Sequence, residues 1–255
     1  MLSSRADIGI LPVMAIRAWK RFEKSQWFQH TKAKLKRLIG KELTIRPDIE
    51  LDTVVDGDWH YAAGQLDEFS IVYSLGVGDT IDFDLALIER SGAMVYAFDP
   101  TPSSFDTLDN TDLPREFRFN PWAVAGEDGE LELYPRQKAS GDKSETMYTL
   151  VPEDGVTDES IVVPAYSLAS IVDKLGHARI DLLKMDIEGA EYDVLDSMLV
   201  ANIRPKQLLV EFHHRFSGIG LDATRQTIER LRGAGYSVFA VSEIGREVSF
   251  LYTNQ

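Results

Sequence analysis

The chain has 255 residues, 44% of them hydrophobic and 27% charged, which fits one large soluble α/β domain or a domain with a short appendage. It contains no cysteine, which excludes disulfides, thiolate metal sites and thiol nucleophiles. The net charge of −14 is uneven: residues 1–41 carry ten Lys and Arg against Asp7 and Glu23, and the strongly acidic remainder is a poor match for nucleic acid, whose binding rests on phosphate contacts.

The basic arm, residues 11–39, is expected to be helical, because Ile16, Trp19, Phe22 and Trp27 or Phe28 recur at three-to-four spacing and Gly40 supplies a stop. Its aromatic stripe is expected to pack on the main domain; the alternative is peripheral contact with an anionic membrane or a partner. The apolar run 8–16 is too short to span a bilayer, contains Pro12 and leads into Arg17, Lys20 and Arg21 rather than a cleavage site, so a cytoplasmic location is expected. Residues 41–69 read as a mixed connector, giving an arm and connector over 1–69 and a domain over 70–255.

From residue 70 the pattern is regular. Strands are expected at 71–75, 93–98, 117–119, 180–185 and 207–212, with helices at 81–90, 103–110, 168–175, 190–199 and 223–232. Residues 131–134 and 147–150 alternate like a hairpin, and 161–164 is one more extended piece. Helices alternating with apolar strands imply a parallel sheet covered on both faces. The final strands, 236–241 and 248–252, are too close for a crossover helix, so the last should run antiparallel.

In such a sheet ligands bind beyond the carboxyl ends of the strands. Gly76 and Gly78 follow the first of these strands and open a helix, which lets backbone approach a ligand. The dinucleotide fingerprint needs a third glycine where Ile81 stands, and Asp79, Asp82 and Asp84 would repel a pyrophosphate. These acids could simply complement the helix dipole, but a cationic ligand without phosphates suits them better. Asp99 ends the next strand in AFDPTPSSF, where an acid can hold a ribose diol or else cap a helix. In LLKMDIEGAEYDVL, Asp186 closes a strand with Lys184 beside it, and Glu188 and Glu191 read as cap or dipole partners. In LLVEFHHRF, Glu211, His213 and His214 follow the neighbouring strand and should lie beside Asp186. A histidine near a carboxylate there is a reasonable general base, with at least one of the two histidines having no special role. The same carboxylates and imidazole could instead hold a divalent cation such as magnesium; metal-free catalysis with His213 or Asp186 as base is the favoured expectation.

Taken as an ordered set, KMDIEGAEYDVL, VYAFDPTPSSF and VEFHH make the chain resemble the FkbM-type S-adenosylmethionine (SAM)-dependent methyltransferases over about residues 71–212. The resemblance implies a doubly wound, seven-strand, Rossmann-like methyltransferase sheet with an antiparallel last strand. It also implies SAM, a sulfonium cation on an adenosine. By position, Gly76 and Gly78 fall on the family's cofactor loop, Asp99 on its ribose acid, and Trp122 and Ala123 in NPWAVAG where the adenine packs. GELELYP and SGDKSETM match the hairpin and loop over the active site. Ser74 stands where the family usually has an acid, so Asp79 or Asp82 is expected to anchor the methionyl ammonium. The implied acceptor is a hydroxyl on a sugar, glycolipid or natural product. The competing expectations are a catalytically silent SAM-fold module recruiting a partner through its basic arm, and a nucleotide-sugar enzyme of dinucleotide type.

Overall fold

A computed structural model describes residues 35, 37, 40, 42–78, 80–137, 143–149, 160–216 and 218–254. The expected arm helix falls almost wholly outside the described residues; Leu35 and Arg37 are helical and Gly40 sits in a turn. Two compact units are distinguished, residues 1–43 and 44–255, and everything below concerns the second.

That unit opens with a hairpin, β1 (Thr53–Asp56) and β2 (Trp59–Ala62), joined by the two-residue turn Gly57-Asp58. The main sheet comprises β3 (Ile71–Leu75), β4 (Met94–Phe98), β5 (Phe117–Asn120), β10 (Leu182–Met185), β11 (Gln207–Glu211), β12 (Tyr236–Val241) and β13 (Glu247–Tyr252). Its order is β5-β4-β3-β10-β11-β13-β12, with β13 antiparallel to both neighbours, as the short 241–248 connection demands. Strands such as LLKM are buried at every position, the pattern of a parallel sheet covered on both faces.

One face is covered by α3 (Leu168–Leu175), α4 (Glu191–Val200) and α5 (Leu221–Gly233), whose Leu168, Leu195 and Leu231 pack with Tyr73, Met185 and Val210. The other is covered by α1 (Asp82–Ser91), with α2 (Pro102–Asp109) alongside; Leu87 and Tyr61, from α1 and the hairpin, pack with Val72, Leu182 and Leu209. The hairpin, which lies in the stretch read as a connector, is tied down by Gln207 Oε1 accepting from Ala62 N (2.8 Å) and by Ser249 Oγ donating to the His60 carbonyl (2.7 Å). The expected hairpin is part of a second sheet, ordered β6 (Ala123–Val124), β9 (Ile161–Tyr166), β7 (Gly129–Gln137), β8 (Lys143–Thr149).

The connections run outward from β3 to β5 and then restart at β10 on the other side of β3. The switch point between β3 and β10 is where a ligand crevice forms in such a sheet. No helix among the described residues is long and apolar enough to cross a membrane.

Candidate active site

A cleft of about 390 Å³ opens at this switch point. Gly76, Val77 and Gly78 line one side, Asp99 and Thr101 another, and Trp122, Ala123 and Val124 a third. Leu131, Leu133, Tyr148 and Thr149 of the second sheet also line it, and Lys184, Asp186 and Glu188 line it beyond β10.

The loop after β3 is held by its surroundings. Gly76 N donates to the Phe98 carbonyl at 3.0 Å, and a Cβ at Gly76 would lie 1.8 Å from the Asp186 carbonyl oxygen. Only glycine can occupy that point, with φ +84°. Asp99 braces the same loop: its Oδ2 accepts from Val77 N and Gly78 N, both at 2.9 Å, and its Oδ1 from Thr101 N (2.8 Å) and Thr101 Oγ1 (2.5 Å). Asp99 is thus at the cleft, as expected, and also organises the loop that a ligand would meet.

The acids behind the loop divide. Asp79 lies outside the described residues. Asp82 is exposed at the start of α1 and is not among the residues lining the cleft. Ser74 is fully buried within the sheet, in register with Lys184 and Ala97, and is not among the residues lining the cleft. The acid that does reach the cleft is Asp84, 2% exposed, whose Oδ1 has no hydrogen-bond partner among the described residues. Burial pushes its carboxyl above the ordinary range, opposed by the charge of Lys184 and by hydrogen bonding from the neighbouring Ser74 hydroxyl. Lys184 is itself buried; its Nζ donates to the Gly76 carbonyl at 2.9 Å and stands 5.2 Å from the centre of the Trp59 ring.

At the end of β10 and β11 the expected neighbours do meet. One donor atom each from Asp186, Glu211 and His213 lies within 4.8 Å of the others. His213 is buried and packs against Phe216, with ring centres 4.8 Å apart and the rings tilted by 47°. Its Nδ1 bonds Glu191 Oε1 at 2.8 Å, and Glu191, fully buried, also accepts from Ile187 N and Gly189 N. The Nε2 edge faces Asp186 Oδ1 (3.7 Å), Glu188 Oε2 (3.7 Å) and Glu211 Oε1 (3.8 Å). Burial, then the charges of Asp186 and Glu247, push the Glu211 carboxyl up to about 8. Burial disfavours charge on His213, but the bond to Glu191 and the surrounding carboxylates outweigh it and push the imidazole up to about 9. Glu188 adopts φ +51°, an uncommon backbone for a non-glycine residue, of the kind that concentrates at functional sites. Asp186 and Glu188 line the cleft, and Glu211 and His213 adjoin it through them. His214 is buried nearby and is not part of the cleft wall.

Trp59 and Glu191 were not singled out as site residues by sequence, and Asp84 only as one of three acids behind the glycine loop. For Asp84 a signal existed: it sits on the stripe Ile81, Asp84, Leu85, Ile88, where an acid interrupts an otherwise apolar face.

The chain is 25% identical over 162 residues to the human "Probable methyltransferase-like protein 24", covering 62% of this chain and 37% of that protein, so it spans little more than a third of that relative's length. It is 26% identical over 196 residues to the 31-O-demethyl-FK506 methyltransferase FkbM of Streptomyces tacrolimicus, covering 67% of this chain and 74% of that one. Among solved structures it is similar to Aeropyrum pernix fibrillarin in complex with S-adenosyl-L-methionine, at 12% identity and TM-score 0.40, over 76% of this chain and 69% of that one. The methyltransferase FkbM domain matches residues 65–238, well over half of the sequence, and the chain belongs to the FkbM methyltransferase family.

Proposed function

We propose that the protein is a SAM-dependent O-methyltransferase that modifies a hydroxyl of a sugar, glycolipid or natural product. The observation that carries the reading is that Asp84 and Lys184 both line the cleft beside the glycine loop, where the acids suit a ligand with a cationic end better than a phosphate. The amino-acid end of SAM carries one ammonium and one carboxylate, which match the Asp84 carboxylate and the Lys184 ammonium in the cleft wall. Asp99 meets the ribose diol, and Trp122 packs the adenine with Phe98 and Ala123 around it. When bound, SAM supplies an electrophilic methyl group: the acceptor oxygen forms the C–O bond as the C–S bond breaks.

The acceptor enters on the side of Asp186 and Glu188, under Tyr148 and Thr149 of the second sheet. Asp186 lines the cleft and takes the hydroxyl proton as the oxygen attacks; holding the two reactants in line supplies much of the acceleration. His213 and Glu191 position this carboxylate from behind. The relative named as a 31-O-demethyl-FK506 methyltransferase supports oxygen as the atom methylated.

The test is incubation with labelled SAM and a panel of hydroxylated glycans, glycolipids and macrolides, with SAM affinity measured by calorimetry. Transfer to a hydroxyl supports the reading. SAM binding with no transfer to any acceptor supports the silent binding module instead, and failure to bind SAM overturns both.

A further inference from the structure

We propose that Asp186, Glu211 and His213 form a binding site for one divalent cation at the acceptor end of the cleft, with Glu188 in reach as a fourth ligand. Three observations carry it. The three donor atoms lie within 4.8 Å of one another, although they come from two strand ends about 25 residues apart in sequence. An ion with bonds of about 2.1 Å places adjacent ligands about 3 Å apart and opposite ones about 4.2 Å apart, so small movements close the site.

His213 supplies the second observation. Its side chain is 4% exposed, yet Nε2 makes no hydrogen bond among the described residues: the nearest carboxylate oxygens, from Asp186, Glu188 and Glu211, stand 3.7, 3.7 and 3.8 Å away. A charge-assisted bond to any one of them would bring the atoms to about 2.8 Å. The ring instead stands off from all three, as a ligand does around a shared ion.

The third is how the ring is held. Glu191 is fully buried, fixed by the amides of Ile187 and Gly189, and bonded to Nδ1 at 2.8 Å. A carboxylate on the far nitrogen is the arrangement that sets the tautomer and orientation of a metal-binding imidazole, so that an ion takes Nε2 by displacing the proton there. The donor set is mostly carboxylate with one imidazole and no thiolate, which suits a cation of the magnesium and manganese class, the imidazole favouring manganese. Asp186 and Glu188 face the cleft, so the open positions of the ion would face the acceptor and hold its hydroxyl. That role rests on the methyl-transfer reading; binding of the ion does not.

The test uses the full chain, stripped with chelator and free of SAM, titrated with Mn2+ and followed by electron paramagnetic resonance. One ion should bind per chain with micromolar-range affinity, and pulsed spectra should show coupling to an imidazole nitrogen. Asp186→Asn and Glu211→Gln should each weaken binding about tenfold or more, and Glu191→Gln, which touches no ion, by about 10–100-fold. Calorimetry with SAM on the same preparations reports separately on folding and on the cofactor site. Absence of Mn2+ binding by the wild type at millimolar concentration overturns the proposal while leaving the methyl-transfer reading intact. So does Mn2+ binding without nitrogen coupling, or binding unchanged in Asp186→Asn with SAM affinity retained.

Discussion

Replacing Gly76 and Gly78 by alanine, one at a time, separates two roles that look identical in sequence. At Gly76 the new Cβ would fall 1.8 Å from the Asp186 carbonyl oxygen and 2.9 Å from its carbon. A comfortable carbon–oxygen contact is about 3.3 Å, so one backbone must move by about 1.5 Å. Neither yields easily: β10 is hydrogen-bonded on both sides, and Gly76 is held by Phe98 through its N–H and by Lys184 through its carbonyl. The left-handed backbone adds about 1–2 kcal/mol and the overpacking about 1–3 kcal/mol, together about 2–5 kcal/mol. For a unit of this size that lowers Tm by roughly 4–20 °C, and displacement of the loop should weaken SAM at least about tenfold. Gly78 has φ +59° and nothing within 4 Å of the added carbon, so its alanine variant bears only the left-handed backbone penalty, about 1–2 kcal/mol or roughly 2–8 °C. Differential scanning calorimetry and SAM titration of the pair decide the matter. Indistinguishable Tm and affinity for the two variants would refute the close approach of the loop to β10.

Asp99→Ala leaves the amides of Val77, Gly78 and Thr101 without their acceptor, and should lose both loop order and the ribose contact. SAM affinity should fall by about 1–3 kcal/mol in calorimetry, and a folded variant with unchanged affinity would defeat the assignment. The Asp48 carboxyl is partly buried, which works against its charge, but the Arg232 guanidinium (2.7 and 2.9 Å) and the Val238 amide (2.9 Å) outweigh this and hold it below the usual range. Its contribution is therefore present above about pH 4 and lost as pH falls through the lowered value. Asp48→Asn should lower Tm by a few degrees at pH 7 and by much less at pH 2; an equal loss at both would count against the ion pair. In chelator-treated protein the raised Glu211 carboxyl, about 8 when folded against an ordinary 4.5, binds its proton more tightly in the folded state. Stability should then decline as pH rises from about 5 to 8, and the decline should be shallower in Glu211→Gln, measured by urea unfolding across that window. A steeper decline in the variant would reverse the assigned sign.

Much of the main sheet was legible because its strands announce themselves. Ile71–Leu75, Leu182–Met185 and Gln207–Glu211 are runs buried on both faces, and each is followed by polar groups at its carboxyl end. The antiparallel last strand followed from connection length alone. The β1–β2 hairpin was not legible. Its strands are four residues each, and the side chains that fix it, Gln207 and Ser249, lie far along the chain. The two-residue strand β6 is equally silent, since it exists only by pairing with β9. Short strands of this kind carry too little periodicity to be read and are defined by tertiary partners.

The site shows the same division between what a strand end implies and what a helix face conceals. Asp99, Asp186 and Glu211 were readable because the last residues of parallel strands converge on one edge. Asp82 and Asp84 were not separable by residue type, since any acid in a first helical turn satisfies the dipole. Two residues along a helix are about 200° apart around its axis, so one of the pair must face away when the other faces in. Ile81, Leu85 and Ile88 lie on the stripe with Asp84, and that stripe decides which acid is buried. The consequence is chemical. An exposed Asp82 leaves Asp84 as the acid of the two that lines the cleft, in the same wall as the buried Lys184, so a ligand carrying both an ammonium and a carboxylate finds a counter-charge for each.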